Sequence, residues 1–211
     1  MNLTDKIVRG QLELIKPIAD GTGIDASRAL QDKIGRLMHF TRRRDVVVHD
    51  ELVEQMHGAL IVPRDERRGG MMLYLHGGGY VSGSLDYAKG FGAMLSAECG
   101  MKVFAADYRL APENPYPAAV DDAERAYMQI LDSGIPAEKI VLAGESAGAG
   151  LCYALCIRLR EKNIPLPASI IAISPWVDLT LSGDSYHHNR EADPSITEER
   201  LEFFANCYVG E

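Results

Sequence analysis

The sequence has little of what marks several classes of protein. Only four of its 211 residues are cysteine, and no two of them form a C-x-x-C pair. A disulfide framework or a metal site is therefore not indicated, and we interpret Cys152 and Cys156, which would share a helix face, as buried thiols. No apolar run approaches the ~20 residues needed to cross a bilayer, and the first residues, MNLTDKIVRG, lack the apolar region of a signal peptide. These absences predict a cytoplasmic protein without a membrane span.

An excess of positive charge is also missing. The chain has 22 basic and 30 acidic residues, which gives a formal net charge of -8. This balance disfavours nucleic acid or an anionic membrane as a partner, because both select basic surfaces. With 46% hydrophobic residues the chain can bury the core of one domain, and we expect a small molecule as its partner.

The hydrophobic pattern alternates between the periods of strands and helices. Apolar residues at helical spacing predict one helix over residues 3–15 and a second over 24–38. Runs rich in β-branched residues predict strands at 44–53, 57–64, 71–75, 102–106, 139–143 and 169–174. Strands separated by helices favour right-handed crossovers, so the pattern predicts an α/β fold with a mostly parallel sheet.

Two helices have recognisable starts. Pro117 precedes an amphipathic run from Ala119 to Leu131, as is common in the first turn of a helix. Ser195 followed by Glu198 is a possible capping box for a last helix that runs to about Tyr208.

The segment VLAGESAGAG, residues 141–150, has the pattern of a nucleophile elbow. A short apolar strand leads into Gly-Glu-Ser-Ala-Gly and then into a helix, which is the context that a G-x-S-x-G motif requires. Gly144 and Gly148 would let strand and helix approach closely and leave Ser146 exposed at the tip of a strained turn. The Ala147 N–H would lie at the helix N-terminus, where a developing negative charge is stabilised.

A run of three glycines, HGGG at residues 76–79, follows the strand predicted at 71–75. Glycines let backbone N–H groups approach a reacting carbonyl oxygen as an oxyanion hole. A flexible turn or a phosphate cradle is the alternative, but the chain has no G-x-x-x-x-G-K-[ST] motif. We interpret His76 as a residue that orients the loop, because a base on the oxyanion side would face the wrong side of the carbonyl.

Four segments together resemble the hormone-sensitive-lipase-like family of carboxylesterases, also called family IV. They are HGGG at 76–79, DYRLAPENPYPAAVDDA at 107–123, GESAG at 144–148 and SPWVDLT at 174–180. The resemblance implies that Ser146 is the nucleophile. It also implies that the N–H groups of Gly78, Gly79 and Ala147 are the oxyanion donors. Glu145 stands where the family usually has Asp, and we expect it to support the site without belonging to the triad.

The resemblance covers essentially the whole chain and implies an α/β-hydrolase fold that needs no metal or cofactor. Residues 1–40 would form an N-terminal helical cap segment and residues 41–211 the hydrolase core. We expect Arg109, Glu113 and Asp122 to form a buried ion-pair network, since buried charges are retained when they are paired. Tyr80 and Trp176 are candidates for the substrate pocket, with packing in the core as the alternative.

A base and an acid for Ser146 are harder to find in the sequence. A serine needs a histidine base and an acid that orients it, and in this fold both follow the serine. Asp178 or Asp184 with His187 or His188 has that order but lies in a stretch that the family uses for its cap. The remaining histidines, His39, His49 and His57, are expected at the surface. The resemblance therefore predicts that the acid and the histidine follow residue 211, together with the last two strands.

The function that the resemblance implies is hydrolysis of short-chain carboxylic esters through an acyl-enzyme. The 211 residues alone are then expected to be inactive and to self-associate or dimerise through an unpaired sheet edge. A chain completed by a second polypeptide and a catalytically dead descendant are the alternatives. A non-catalytic ligand-binding protein also remains open, because the plant gibberellin receptors of this family keep the serine and lose the histidine.

Overall fold

A six-stranded mixed sheet forms the centre of the computed structural model, which describes residues 23–53, 56–190, 192–193 and 196–210. The strands are β1 (Val46–Val53), β2 (Met56–Pro63), β3 (Met71–Leu75), β4 (Lys102–Ala106), β5 (Ile140–Glu145) and β6 (Ser169–Ile173). The helices are α1 (Ile24–Arg42), α2 (Leu85–Cys99), α3 (Ala118–Asp132), α4 (Ala147–Glu161), α5 (Asp184–His188) and α6 (Glu198–Val209), and a 3-10 turn spans Ala137–Lys139.

The strand order β1-β2-β4-β3-β5-β6 places β3 and β5 side by side in the sheet. β4, β3, β5 and β6 are parallel, whereas β2 pairs antiparallel with both β1 and β4. In the register of the central pair, Leu75 lies opposite Gly144. The loop after β3 and the turn after β5 therefore start next to each other at the carboxyl edge of the sheet, where α/β proteins build their sites.

Each face of the sheet is covered by its own helices, because successive strand side chains point to opposite faces. Met72 and Tyr74 of β3 lie in a buried cluster with residues of α2. Leu73 and Leu75 of the same strand lie in a second cluster with residues of α3 and α4. The central strands are buried on both faces, as the near-continuous apolar runs of the sequence predict.

Helices α1 and α2 cross at two glycines. A Cβ added to Gly35 would lie 2.3 Å from the Tyr87 Cα, and one added to Gly90 would lie 2.3 Å from the Gly35 carbonyl oxygen. The two helix backbones thus approach more closely than side chains would allow. Residues 1–40 as a cap segment stay a prediction, because the helix predicted at 3–15 lies outside the described residues and α1 runs past residue 40.

The structure confirms the predicted fold class and most of the predicted elements. α3 begins at Ala118, directly after Pro117. The capping box is wrong: α6 begins at Glu198, and the Thr197 hydroxyl accepts a hydrogen bond from the Arg200 N–H at 3.2 Å. Ser195 lies outside the described residues. A hydroxyl residue stands at both positions, so the sequence alone did not distinguish them.

The predicted network of Arg109, Glu113 and Asp122 is wrong in one member. The Asp122 carboxylate is buried, with 1% of its side chain exposed, and pairs with Arg109 at 2.9 Å and with Arg125 at 2.8 Å. Glu113 instead pairs with Arg28 of α1 at 2.8 Å, and 57% of its side chain is exposed. The network that holds the segment after β4 therefore consists of Asp122 and two arginines, and Glu113 joins that segment to α1.

The described part of the chain contains no disulfide and no membrane-spanning helix. All four cysteines are free thiols, of which Cys152 is fully buried. None of the described helices combines the length and the apolar character that crossing a bilayer requires.

Candidate active site

Ser146 occupies the strained turn between β5 and α4. Its backbone has φ 53° and ψ -122°, a conformation that residues with a Cβ rarely adopt. The Ser146 N–H donates to the Ile173 carbonyl at 2.9 Å, and its own carbonyl accepts from Gly150 and Trp176. These bonds fix the turn while the serine itself stays partly exposed among buried neighbours.

The glycines on both sides of Ser146 are required by close backbone contacts. A Cβ added to Gly144 would lie 2.6 Å from the Gly148 carbonyl carbon, and one added to Gly148 would lie 2.1 Å from the Leu75 carbonyl oxygen. Real Cβ atoms essentially never come that close to backbone. The elbow, residues 144–148, therefore has the tight packing of strand against helix that its sequence predicts.

The glycine loop, residues 76–79, lies directly beside the elbow. A Cβ added to Gly77 would lie 3.2 Å from the Ser146 Cβ. Gly78 and Gly79 both have positive φ, at 124° and 63°, which only glycine adopts without strain. Gly77 thus allows the loop to approach Ser146 closely, and Gly78 and Gly79 allow its backbone to turn.

The N–H groups of Gly78 and Gly79 are left free because hydrogen bonds fix the carbonyls of Gly77 and Gly78. His76 Nδ1 lies 2.9 Å from the Gly77 carbonyl oxygen, and the Gly78 carbonyl accepts from the Ser82 N–H and hydroxyl, each at 2.9 Å. In a trans peptide the N–H points away from the carbonyl, so the Gly78 and Gly79 N–H groups are turned the other way. Neither donates a hydrogen bond within the described residues.

His76 is wholly buried and stacks on Tyr108, with ring centroids 4.3 Å apart. Because the Gly77 carbonyl can only accept a hydrogen bond, Nδ1 of the neutral His76 ring carries the proton and Nε2 has none. Burial lowers the pKa of His76 to about 4, so the ring is neutral at pH 7. This arrangement fits a residue that holds the glycine loop.

Glu145, the residue before the nucleophile, reaches across to the glycine loop. Its Oε1 accepts a hydrogen bond from the Gly77 N–H at 2.6 Å. Burial raises the pKa of this carboxyl above its usual value. The structure thus joins the elbow to the glycine loop through a side chain.

Helix α6 covers the far side of the glycine loop with aromatic residues that the sequence analysis missed. A Cβ added to Gly79 would lie 2.3 Å from the Phe204 ring, and Tyr208 stacks on Tyr80 with centroids 3.9 Å apart. The Arg200 guanidinium lies 4.7 Å from the centroid of the Phe204 ring. Nothing in the helical pattern of α6 marks which of its aromatic residues faces the loop, because this contact is long-range in sequence.

Tyr80 and Trp176, the candidates for the substrate pocket, are both nearly buried and lie in the core. Their ring centroids are 5.9 Å apart. They contribute to the wall of a mostly apolar cavity of about 690 Å³, bounded also by Tyr153 and Ile157 of α4 and by Val177. Ser146 is not part of its lining. Both aromatic side chains thus pack in the core and line this cavity, and a role in substrate binding stays a prediction.

Comparison with known proteins places this chain in a family. Residues 72–211 match the family described as alpha/beta hydrolase fold. The chain belongs to that alpha/beta hydrolase family. It is 97% covered by the crystal structure of an esterase from the bacterial hormone-sensitive lipase family, at 33% identity and a TM-score of 0.84, and it covers 68% of that chain. The resemblance to hormone-sensitive-lipase-like esterases is thereby confirmed.

Curated relatives of this alpha/beta hydrolase have related names. An acetyl-hydrolase of Streptomyces hygroscopicus is 46% identical over 124 residues, which are 59% of this chain and 41% of the relative. The putative acetyl-hydrolase LipR of Mycobacterium tuberculosis is 33% identical over an alignment of 217 positions, which covers 100% of this chain and 68% of the relative. The chain thus spans between about two fifths and two thirds of the length of these relatives.

The acids and histidines between residues 178 and 188, which follow Ser146 in the order that a triad requires, do not form one with it in the described residues. The Asp178 carboxylate accepts from the N–H groups of Thr180 and Ser182, each at 2.9 Å, and so caps its own loop. His187 lies 3.6 Å from the Glu198 carboxylate, and His188 is exposed. Within the described residues, no histidine ring is hydrogen bonded to the Ser146 hydroxyl. Of the predicted surface histidines, His49 and His57 are exposed and His39 is half-buried.

Proposed function

We propose that this alpha/beta hydrolase cleaves short-chain carboxylic esters through an acyl-enzyme on Ser146. The observation that carries the proposal is the pairing of a strained, accessible serine with free N–H groups beside it. The Ser146 hydroxyl would attack the carbonyl carbon, and the alcohol would leave after the tetrahedral intermediate collapses. Water would then release the acyl group as a carboxylic acid.

The negative charge of the tetrahedral intermediate would be stabilised by the N–H groups of Gly78, Gly79 and Ala147. The first two are turned away from their held carbonyls, and the third is the first residue of α4, where helix N–H groups have no intrahelical partner. Fixed donors of this kind need no reorganisation during the reaction. A histidine base and its acid are required as well, and the proposal assigns neither to a residue of these 211.

Acetyl and butyryl esters are the substrates that the proposal names first. Two of the relatives are named acetyl-hydrolases. Helix α6 packs Phe204 against Gly79, so bulky side chains already occupy the space on that side of the glycine loop. This supports a preference for short acyl groups.

The experiment is hydrolysis of p-nitrophenyl acetate, butyrate and octanoate by the full-length protein and by its Ser146→Ala variant. We expect hydrolysis to fall with acyl length and to drop by at least about 1,000-fold in the variant, because the nucleophile is lost. Ser96→Ala is the matched control: it removes one serine hydroxyl from a buried position, where that hydroxyl donates to the Met101 carbonyl at 3.0 Å, away from the site. Equal hydrolysis by Ser146→Ala and the wild type would reject the mechanism.

A wild-type protein that folds, binds ester analogues and never turns them over would instead favour the ligand-binding alternative. The discriminating measurement is calorimetric titration with a non-hydrolysable ketone analogue of the ester. Binding without turnover would replace the esterase proposal, and turnover that depends on Ser146 would exclude that alternative.

A further inference from the structure

The Glu145 carboxylate connects three elements that surround the nucleophile. Its Oε1 accepts the Gly77 N–H at 2.6 Å, and its Oε2 accepts the Tyr74 hydroxyl at 2.8 Å. One side chain thus joins the elbow to the glycine loop and to strand β3.

This carboxylate is satisfied by neutral donors. Among the described residues, no lysine or arginine forms an ion pair with Glu145, although its side chain is largely buried. Burial of a carboxylate without a cation is unfavourable, and hydrogen bonds must offset this cost. Tyr74 is held in place by its own stacking on Phe91, with centroids 5.4 Å apart and planes at 7°. The Gly77 N–H and the Tyr74 hydroxyl thus hold one carboxylate oxygen each, and we call this arrangement of Gly77, Tyr74 and Glu145 the clamp.

The clamp acts on the glycine that touches the nucleophile. Gly77 is the residue whose added Cβ would lie 3.2 Å from the Ser146 Cβ, and its N–H has Glu145 as its acceptor. The N–H groups of Gly78 and Gly79 follow on the same short loop. Any shift of Gly77 would therefore move both proposed oxyanion donors relative to the serine.

We propose that Glu145 is a positioning residue that fixes the glycine loop at a set distance from Ser146, with Tyr74 as its support. This inference rests on the proposed function. Oxyanion donors act only when they lie 2.7–3.1 Å from the position of the developing charge. Loosening the clamp should therefore lower kcat and leave KM nearly unchanged.

The first test compares two buried tyrosines. Tyr74→Phe removes one donor from the clamp, whereas Tyr127→Phe removes a hydroxyl that donates to the Pro165 carbonyl at 2.7 Å in another part of the core. Each variant loses one buried hydrogen bond, and the loss of stability should be larger in Tyr74→Phe, because its acceptor is a carboxylate. We expect kcat to fall about threefold in Tyr74→Phe, which corresponds to part of that bond, and to stay unchanged in Tyr127→Phe.

The second test is Glu145→Gln, which keeps one carbonyl oxygen for Gly77 but turns an amide donor toward the Tyr74 hydroxyl. We expect kcat for p-nitrophenyl acetate to fall about tenfold, less than the loss of an oxyanion donor itself. KM should stay within about twofold of the wild type, because ground-state binding is not affected. Unchanged or increased kcat in both Glu145→Gln and Tyr74→Phe would overturn the inference, as would an equal fall in Tyr127→Phe.

A measurement without turnover separates this inference from the proposed function. Hydrogen exchange of peptides that span residues 76–84 should be faster in Glu145→Gln than in the wild type and unchanged in Tyr127→Phe. If the loop loosens but the wild type hydrolyses no ester, the esterase proposal fails and the clamp stands. If the wild type is an esterase and the loop exchanges at the same rate in Glu145→Gln, the clamp fails and the esterase proposal stands.

Discussion

Two regions of one sheet differ sharply in how completely they are packed. At the carboxyl ends of β3 and β5, the glycine loop and the elbow are held by backbone hydrogen bonds and buried aromatic rings. Contacts at their glycines are too close for a Cβ. At the edge formed by β6, Ile171 and Ile173 are 38% and 39% exposed, and Val177 beyond the strand is 63% exposed. β6 pairs with β5 on one side, and no described strand pairs with its other side.

The two regions affect different properties of the protein. The central region brings together the glycine loop and the elbow, which are 68 residues apart at the bond between Gly77 and Glu145, and its contacts fix the positions of Ser146 and of free N–H groups. The β6 edge carries apolar side chains that stay more than a third exposed among the described residues, and such surfaces favour association. The centre therefore determines the chemistry, and the edge affects the solubility.

After the loss of the Ser146 hydroxyl itself, the largest expected effect in the central region comes from a single methyl group. Gly77→Ala would place a Cβ 2.8 Å from the Glu145 carbonyl oxygen and 3.2 Å from the Ser146 Cβ. Because this wedge separates the loop from the serine, we expect kcat to fall about 100-fold, comparable to the loss of an oxyanion donor. Steady-state kinetics with p-nitrophenyl acetate measures the effect.

The control for Gly77→Ala is Gly69→Ala. Gly69 lies in an exposed turn and has no heavy atom within 4 Å of its added Cβ. We expect wild-type kinetics from this variant. Wild-type kcat in Gly77→Ala would show that the contact between loop and elbow has no part in catalysis.

A smaller effect concerns how pH acts on the buried centre. Burial lowers the pKa of His76 to about 4, below the ~6.5 of an unfolded histidine. The unfolded chain therefore binds the proton more readily, and stability that is complete above pH 6.5 is lost as pH falls toward 4. The loss is on the order of 3 kcal/mol, since one pKa unit corresponds to about 1.4 kcal/mol.

Urea unfolding between pH 7.5 and pH 4.5 measures this dependence. His76→Asn keeps a donor near the position of Nδ1 and cannot titrate, so its free energy of unfolding should change less over that range. The same slope in both proteins would mean that His76 does not contribute to the loss of stability in acid.

The β6 edge should respond to charge more than the opposite edge of the sheet does. Ile171→Lys places a cation on β6, whose outer edge pairs with no described strand. This change should raise the solubility of the 211-residue chain and reduce its self-association. Leu52→Lys is the matched control, because Leu52 is 63% exposed on β1 at the other edge. Light scattering over a concentration series measures both variants, and a wild-type chain that stays monomeric throughout would contradict the prediction of association.

The smallest effect lies outside both regions, at the pair that joins α1 to the segment after β4. The hydrogen bond from Arg28 holds the pKa of Glu113 at about 2. Its contribution is present above the ~4.3 of an unfolded glutamate and is lost as pH falls toward 2. Because Glu113 is 57% exposed, we expect Glu113→Gln to cost about 0.5 kcal/mol or less at pH 7. Thermal unfolding at pH 7 measures the difference, and a loss above 1.5 kcal/mol would mean that exposure does not weaken this pair.

Sequence reasoning located the elements and the motifs because their signals are local. The glycines of the elbow and the loop mark close approaches that the structure contains, and apolar runs mark the strands. The partner of Glu113 was missed because Arg28 is 85 residues away, and no periodicity relates the two. Phe204 and Tyr74 were missed for the same reason: each acts on the site through a contact made only after folding.

The most direct test of the central claim is covalent labelling of the full-length protein with a fluorophosphonate, followed by peptide mapping. The account predicts one adduct, on Ser146, with loss of ester hydrolysis in proportion to labelling. Ester hydrolysis that persists while Ser146 is fully labelled, or labelling of another residue that abolishes hydrolysis, would contradict it.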